Sequence, residues 1–260
     1  MVLLHGWQGS RLFCPDDAAT VDAGVRLITI DRPGFGRSDP RRDRSLLNWV
    51  DDYAELLRHL GIPRCPIVGW SGGGPYALAC AFRMPEIVTR VGLAASDGPF
   101  LEVPGALSEL SQEARDLIQL LHRDPRAAAP AISRRCRWYG DDWESMFAEV
   151  GTLGDDPDDR LMSRPEILEP LKVWMREGAR QGAAGYTADW IAECGPWGFS
   201  LNDVRRPVYV WWGDADRLVS RAHAEYLAAA VPEATLRTYP GEGHLFPLNH
   251  WREIITALLD

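Results

Sequence analysis

Three short segments hold side chains that could do chemistry together: a hydroxyl, a carboxyl and an imidazole, each beside glycine. Residues 67–80 read IVGWSGGGPYALAC, with Ser71 in front of three glycines. Residues 213–217 read GDADR, with Asp214 and Asp216, and residues 241–244 read GEGH, ending in His244. A serine hydroxyl is a poor nucleophile near neutral pH; it needs a base within hydrogen-bond reach and a third group to hold that base's tautomer. The glycines do not make a phosphate loop. No Gly-Lys-Ser/Thr ending or GxGxxG spacing is present, and Pro75 and Tyr76 follow instead.

Such groups must be carried to one place by the elements before them. Small residues two before and two after a serine let a strand and a helix meet at a tight turn, which displays the side chain at the sheet's carboxyl edge. Gly69-Trp70-Ser71-Gly72-Gly73 meets that pattern, between the apolar Ile67-Val68 and an alanine-rich helical run from Pro75 to Arg83. Asp216 follows the strand-like Pro207–Trp212, and His244 follows Ala234–Tyr239. Further strands are expected at Val2–Leu4, Val25–Ile30 and Val88–Ala95, with helices at Asn48–Leu60, Ala222–Ala230 and Trp251–Leu259. Strands alternating with helices predict a mostly parallel sheet covered on both faces. From 99 to 203 the alternation stops and helical patterns take over: Glu109–His122, Arg126–Tyr139, Trp143–Val150, Glu166–Arg180 and Thr187–Cys194. The expected organisation is one α/β core, 1–98 and 204–260, interrupted by a helical insert, 99–203.

Five segments in this order make the chain similar to the α/β-hydrolase superfamily. VLLHGWQGSR resembles its oxyanion strand, DRPGFGRSDP the next loop, GWSGGGPYA its nucleophile elbow, WWGDADRLV its acid loop and PGEGHLF its histidine loop. Within the superfamily the chain resembles lidded esterases and proline-iminopeptidase-like hydrolases. The resemblance implies an α/β-hydrolase fold whose insert is a cap, with Ser71 as nucleophile, His244 as general base and acid, and Asp216 as the acid. It implies an oxyanion hole from the backbone N–H groups of Trp7 and Gly72, with His5 orienting that loop. Asp97, at the end of the preceding strand, stays an alternative acid, because triads are defined by geometry and not by position. Asp214 is read as a turn or capping residue, and His250 as a weaker rival for base. His59, His122 and His223 lie in helical runs and are read as exposed. Asp141-Asp142 and Asp158-Asp159 are read as solvated helix-start or loop residues.

The chain departs from the family pattern at its start. The usual first two strands, before the one ending in His-Gly, are lacking, so the sheet is expected to be short: either the start is truncated, or an edge strand near Val25–Ile30 lies open. Such an edge offers pairing with a second copy of the chain, a homodimer.

Composition narrows the partners. A net charge of −9 argues against nucleic acid, and no apolar run is long enough to span a membrane. Five scattered cysteines without a CxxC pair argue against zinc and disulfides and fit a reducing compartment. MVLLHGWQGSR lacks a signal peptide's charged and apolar regions, so cytoplasm is the expected location. No metal-ligand constellation or cofactor is expected. Trp70, Trp138, Trp143, Trp174 and Trp190 are candidate pocket residues, and an aromatic cap suits a hydrophobic small molecule. The leading expectation is therefore a serine hydrolase that cleaves an ester, lactone or related acyl bond through an acyl-enzyme. Aminopeptidase or carbon–carbon bond hydrolase chemistry with the same triad stays open. So does a ligand receptor, cyclase or lyase that reuses the pocket, since fold does not fix function.

Overall fold

The computed structural model describes residues 1–41, 43–141 and 156–260, with backbone alone at 138–141. Strands at Val2–Leu4 (β1), Ile28–Ile30 (β2), Cys65–Trp70 (β3), Val88–Ala94 (β4), Val208–Gly213 (β5) and Ala234–Tyr239 (β6) form one sheet. Every pairing is parallel, in the order β2-β1-β3-β4-β5-β6. A parallel sheet buried on both faces needs near-continuous apolar strands. Ile67, Val68, Val91, Leu93, Val208 and Val210 meet that need and are all buried.

Five helices cover the two faces: α1 Asp17–Asp22, α2 Leu46–His59, α3 Gly74–Arg83, and two that fall late in the chain, Arg221–Ala230 and Pro247–Leu259. In α2 the residues Leu46, Trp49, Val50, Tyr53 and Leu57 recur at helical spacing and form its buried stripe. The Ser45 hydroxyl accepts from the Asn48 N–H and the Asn48 side chain accepts from the Ser45 N–H, a capping box that fixes where the helix starts. Helices α2, α3 and Arg221–Ala230 pack with Val2, Leu4, Ile67 and Val91 on one side. Ala19 of α1 and Trp251, Ile254 and Leu258 of the last helix pack with Leu3, Val68 and Trp211 on the other.

Between β4 and β5 the described residues are helical: α4 Ala106–Glu109, α5 Gln112–Arg123, α6 Pro125–Asp141, α7 Pro157–Met162, α8 Pro165–Gly178 and α9 Ala184–Cys194. The later helices Arg221–Ala230 and Pro247–Leu259 are α10 and α11. The expected helix at 143–150 lies outside the described residues. The expected strand Val25–Ile30 narrows to Ile28–Ile30, because β1 offers only three residues for pairing. It forms one edge of the sheet. Among the described residues, no helix is long and apolar enough to cross a membrane.

The strand order has a functional consequence. From β1 the chain crosses to β2 on one side, then returns to place β3 on the other side of β1. In open α/β sheets, ligands bind outside the carboxyl ends of strands at such a reversal. Here β1 ends at His5-Gly6-Trp7 and β3 ends at Ser71.

Candidate active site

Ser71 follows β3 directly and opens a 3-10 turn, Ser71–Gly73, that runs into α3 with Pro75 in its first turn. Its backbone has φ +52°, a left-handed conformation that costs a non-glycine residue about 1–3 kcal/mol. The surrounding turn is too tight for side chains. A Cβ at Gly69 would lie 2.4 Å from the Gly73 carbonyl oxygen, and one at Gly73 would lie 2.5 Å from the Leu4 carbonyl oxygen. The two glycines therefore let strand, turn and helix close around a strained, displayed hydroxyl.

Asp216 and His244 come from the loops after β5 and β6. Asp216 Oδ2 accepts a hydrogen bond from His244 Nδ1 at 2.9 Å, with both side chains buried. Its other oxygen accepts from the N–H groups of Leu218 at 2.8 Å and Val219 at 3.0 Å. The carboxylate is thus held on both sides, and the imidazole proton sits on Nδ1, leaving Nε2 basic. Burial opposes the His244 imidazolium, but the Asp216 charge and hydrogen bond, with the charges of Asp158 and Asp97, hold the imidazole's pKa above its ordinary value. Asp214 accepts from the Gly241 N–H at 2.6 Å and ties the two loops together. Asp97 reaches the same cavity, but the bond to His244 Nδ1 comes from Asp216. Burial pushes the Asp97 carboxyl up. His250 pairs with Glu242 at 3.1 Å.

The loop after β1 is fixed by a buried charge network. His5 Nδ1 donates to the Gly6 carbonyl at 2.7 Å and Nε2 accepts from the Arg32 N–H at 3.4 Å. Burial, reinforced by the Arg32 charge, drives the His5 pKa well down and keeps the ring neutral. The Arg32 guanidinium donates to the carbonyls of His5 and Gly6. It also pairs with Asp189 of α9 at 2.6 Å, and the same carboxylate takes Arg44 and, at 2.8 Å, the Tyr76 hydroxyl. Arg32, Arg44, Asp189 and Tyr76 are all buried.

One cavity of about 770 Å³ joins these groups: Gly6, Trp7, Ser71, Asp216 and His244 all line it. Of the candidate pocket tryptophans, Trp70, Trp174 and Trp190 line it as well; the Trp138 side chain and Trp143 lie outside the described residues. Trp70 stacks on Phe13, packs against Trp174 and donates its ring N–H to the His244 carbonyl at 3.2 Å. Gly72 is buried behind Ser71 in the turn.

Two expectations are corrected. Asp158 does stand at a helix start, in the first turn of α7, but its carboxylate is not left to solvent: it accepts from the N–H groups of His244 and Leu245, each at 2.8 Å. His223 is not exposed. It is buried beneath the cavity, where its Nδ1 accepts from the Gly98 N–H at 2.8 Å and its ring meets Phe100 edge-on. A local sequence pattern cannot find either contact, because the partners lie 86 and 125 residues away. Among the described residues, no group of His, Cys, Asp or Glu side chains is arranged to hold a metal ion.

The alpha/beta hydrolase family model matches residues 1–257. A 2-hydroxy-6-oxononadienedioate/2-hydroxy-6-oxononatrienedioate hydrolase of Paraburkholderia phymatum is 29% identical, over 100% of this chain and 85% of that protein. A pimeloyl-[acyl-carrier protein] methyl ester esterase of Aromatoleum aromaticum is 28% identical, over 100% of this chain and 96% of that protein. Among solved structures, a bromoperoxidase from Bacillus anthracis superposes with a TM-score of 0.69 at 22% identity, covering 99% of this chain and 89% of that one. That likeness speaks to the fold. The match along nearly the whole chain, on a parallel sheet with a glycine-bounded serine turn, places this protein in the alpha/beta hydrolase family.

Proposed function

We propose that the protein is a serine hydrolase that cleaves an ester, lactone or related acyl bond of a hydrophobic small molecule. Ser71 attacks the acyl carbon while His244 Nε2 takes its proton, and Asp216 holds the imidazole tautomer and stabilises the imidazolium. The N–H groups of Gly72 and Trp7 receive the developing oxyanion. His244 then gives its proton to the leaving group, and water repeats the sequence on the acyl-enzyme. The observation that carries this reading is the 2.9 Å bond from His244 to Asp216 at the wall of a cavity that Ser71 also lines. The helices of 99–203 act as its cap, with Trp174 and Trp190 as apolar walls.

The charges around the cavity favour a neutral substrate. The described lining includes the carboxyl groups of Asp97, Glu109, Asp158 and Asp216, and one guanidinium, Arg217, already ion-paired with Asp156 at 3.5 Å. A dicarboxylate of the kind named for the Paraburkholderia relative would meet repulsion there; a carboxylic ester of the kind named for the Aromatoleum relative would not. The test is turnover of p-nitrophenyl esters of increasing chain length, with labelling by a fluorophosphonate, in wild type and Ser71→Ala. Turnover and labelling that vanish in the variant support the reading; a wild type that does neither refutes it.

A further inference from the structure

Glu193, in the last turn of α9, is a buried carboxyl that the triad and the two N–H groups leave unused. It is 6% exposed, it lines the cavity, and its Oε1 is buried with no hydrogen-bond partner among the described residues. Buried polar atoms are nearly always paired, so an unpaired oxygen on a carboxyl that lines the cavity points to a partner that the described residues do not supply. Its position narrows the choice. A Cβ built at Gly72 would lie 2.7 Å from Oε2 and 2.9 Å from Oε1, so the carboxyl packs on the residue that follows Ser71. An ionised carboxylate there would repel the negative charge that grows on the acyl oxygen, whereas a neutral carboxyl would donate to it.

We propose that Glu193, in its neutral form, donates a hydrogen bond to the substrate's acyl oxygen, beside the N–H groups of Gly72 and Trp7. The assignment rests on the acyl-enzyme reading. As the Ser71 oxygen bonds to the acyl carbon and its proton passes to His244, the carbonyl electron pair moves onto oxygen. Glu193 keeps its proton throughout, and its hydrogen bond strengthens as that charge develops. When the leaving group departs with the His244 proton, the pair returns to re-form the carbonyl. A carboxyl held neutral by its surroundings can serve as such a donor.

The groups facing Glu193 agree with a retained proton. Burial raises its pKa, and so do the charges of Asp189 on its own helix and Asp97 at the end of β4; Arg32 and Arg44 pull the other way, and the balance lies well above the ordinary glutamate value. Tyr76 and Cys194, which also face Glu193 among the described residues, are themselves pushed far up by burial and stay neutral. With Glu193 as a neutral donor, the rate is expected to rise with pH as His244 loses its proton and to fall once Glu193 loses its own.

The experiment compares wild type, Glu193→Gln and Glu193→Ala by kcat and KM for p-nitrophenyl butyrate across pH. Infrared difference spectra of wild type against Glu193→Gln are recorded at neutral pH. The alanine variant is expected to lose about 100-fold in kcat with little change in KM, the size of one oxyanion donor. The glutamine variant, which keeps a donor, is expected to stay near wild type at neutral pH and to lack the alkaline fall. The infrared difference is expected to contain a protonated carboxyl band. An alkaline fall that persists in Glu193→Gln, wild-type kcat in Glu193→Ala, or a carboxylate band at neutral pH would each overturn the assignment. Fluorophosphonate labelling separates the two readings. If Ser71 labels in wild type and one of those results appears, Glu193 alone is misassigned; if Ser71 does not label, both readings fall.

Discussion

Among the contacts that join the described helices between β4 and β5 to the sheet's loops, two are built in opposite ways. At α9, Asp189 is fully buried and shared by Arg32, Arg44 and Tyr76, beneath the loop that holds Gly6 and Trp7. At α7, Asp158 is only half-buried, and it grips two backbone N–H groups of the histidine loop. The first contact is a set of charges that cannot be rehydrated if one is lost. The second acts on the atom positions of His244 and leaves water close by. The contrast teaches that burial and proximity to the chemistry are separate quantities: one governs stability, the other rate.

The sharpest way to break the comparison is to remove each carboxylate in turn. Asp189→Ala leaves two buried guanidiniums facing each other without a counter-charge, so it should destabilise the fold by about 3–5 kcal/mol. Urea denaturation reads that directly. A loss under about 1 kcal/mol would mean that the network is hydrated and the contrast is wrong.

Asp158→Asn should change stability little and rate more. Losing the charge-assisted bonds that place His244 should lower kcat/KM about tenfold, the worth of a hydrogen bond to a charged group. The pH profile sharpens this. The Asp158 charge helps hold the His244 pKa up, so its removal should move the acid limb of kcat/KM to lower pH. A profile that keeps its position while the rate falls would make Asp158 a packing residue only.

The smallest effect belongs to the ion pair between the exposed Arg217, in the loop after β5, and the buried Asp156 at the start of α7, whose carboxylate also accepts from the Asp159 N–H. Arg217→Ala should alter stability by no more than about 1 kcal/mol, and raising the salt should erase the difference. A larger loss, insensitive to salt, would show that this edge of the contact is drier than its exposure implies.

How much of this was legible from residues alone follows from where each constraint acts. Ser71, Asp216 and His244 stand at loops whose glycines are demanded locally, as at Gly69 and Gly73, so their signature survives in a short stretch of sequence. The strands at Val2–Leu4 and Val208–Gly213 were legible for a similar reason, since parallel pairing selects apolar runs. Asp158, Asp189 and Glu193 leave no such trace. Each is a carboxyl on a helix, and only the folded path brings it to His244, Arg32 or Gly72. His223 misled because a helical period tells which residues share a face, but not that this face turns toward a cavity. The strand at Val25–Ile30 came out shorter because its length is set by β1, which no reading of its own residues contains.

The most direct measurement is the mass of the protein a short time after mixing with a slow p-nitrophenyl ester, followed by peptide mapping. An acyl adduct on Ser71 that forms with a burst of p-nitrophenol and decays with turnover is the predicted result. Turnover with no adduct, or an adduct on a different residue, would contradict the acyl-enzyme at the centre of the account.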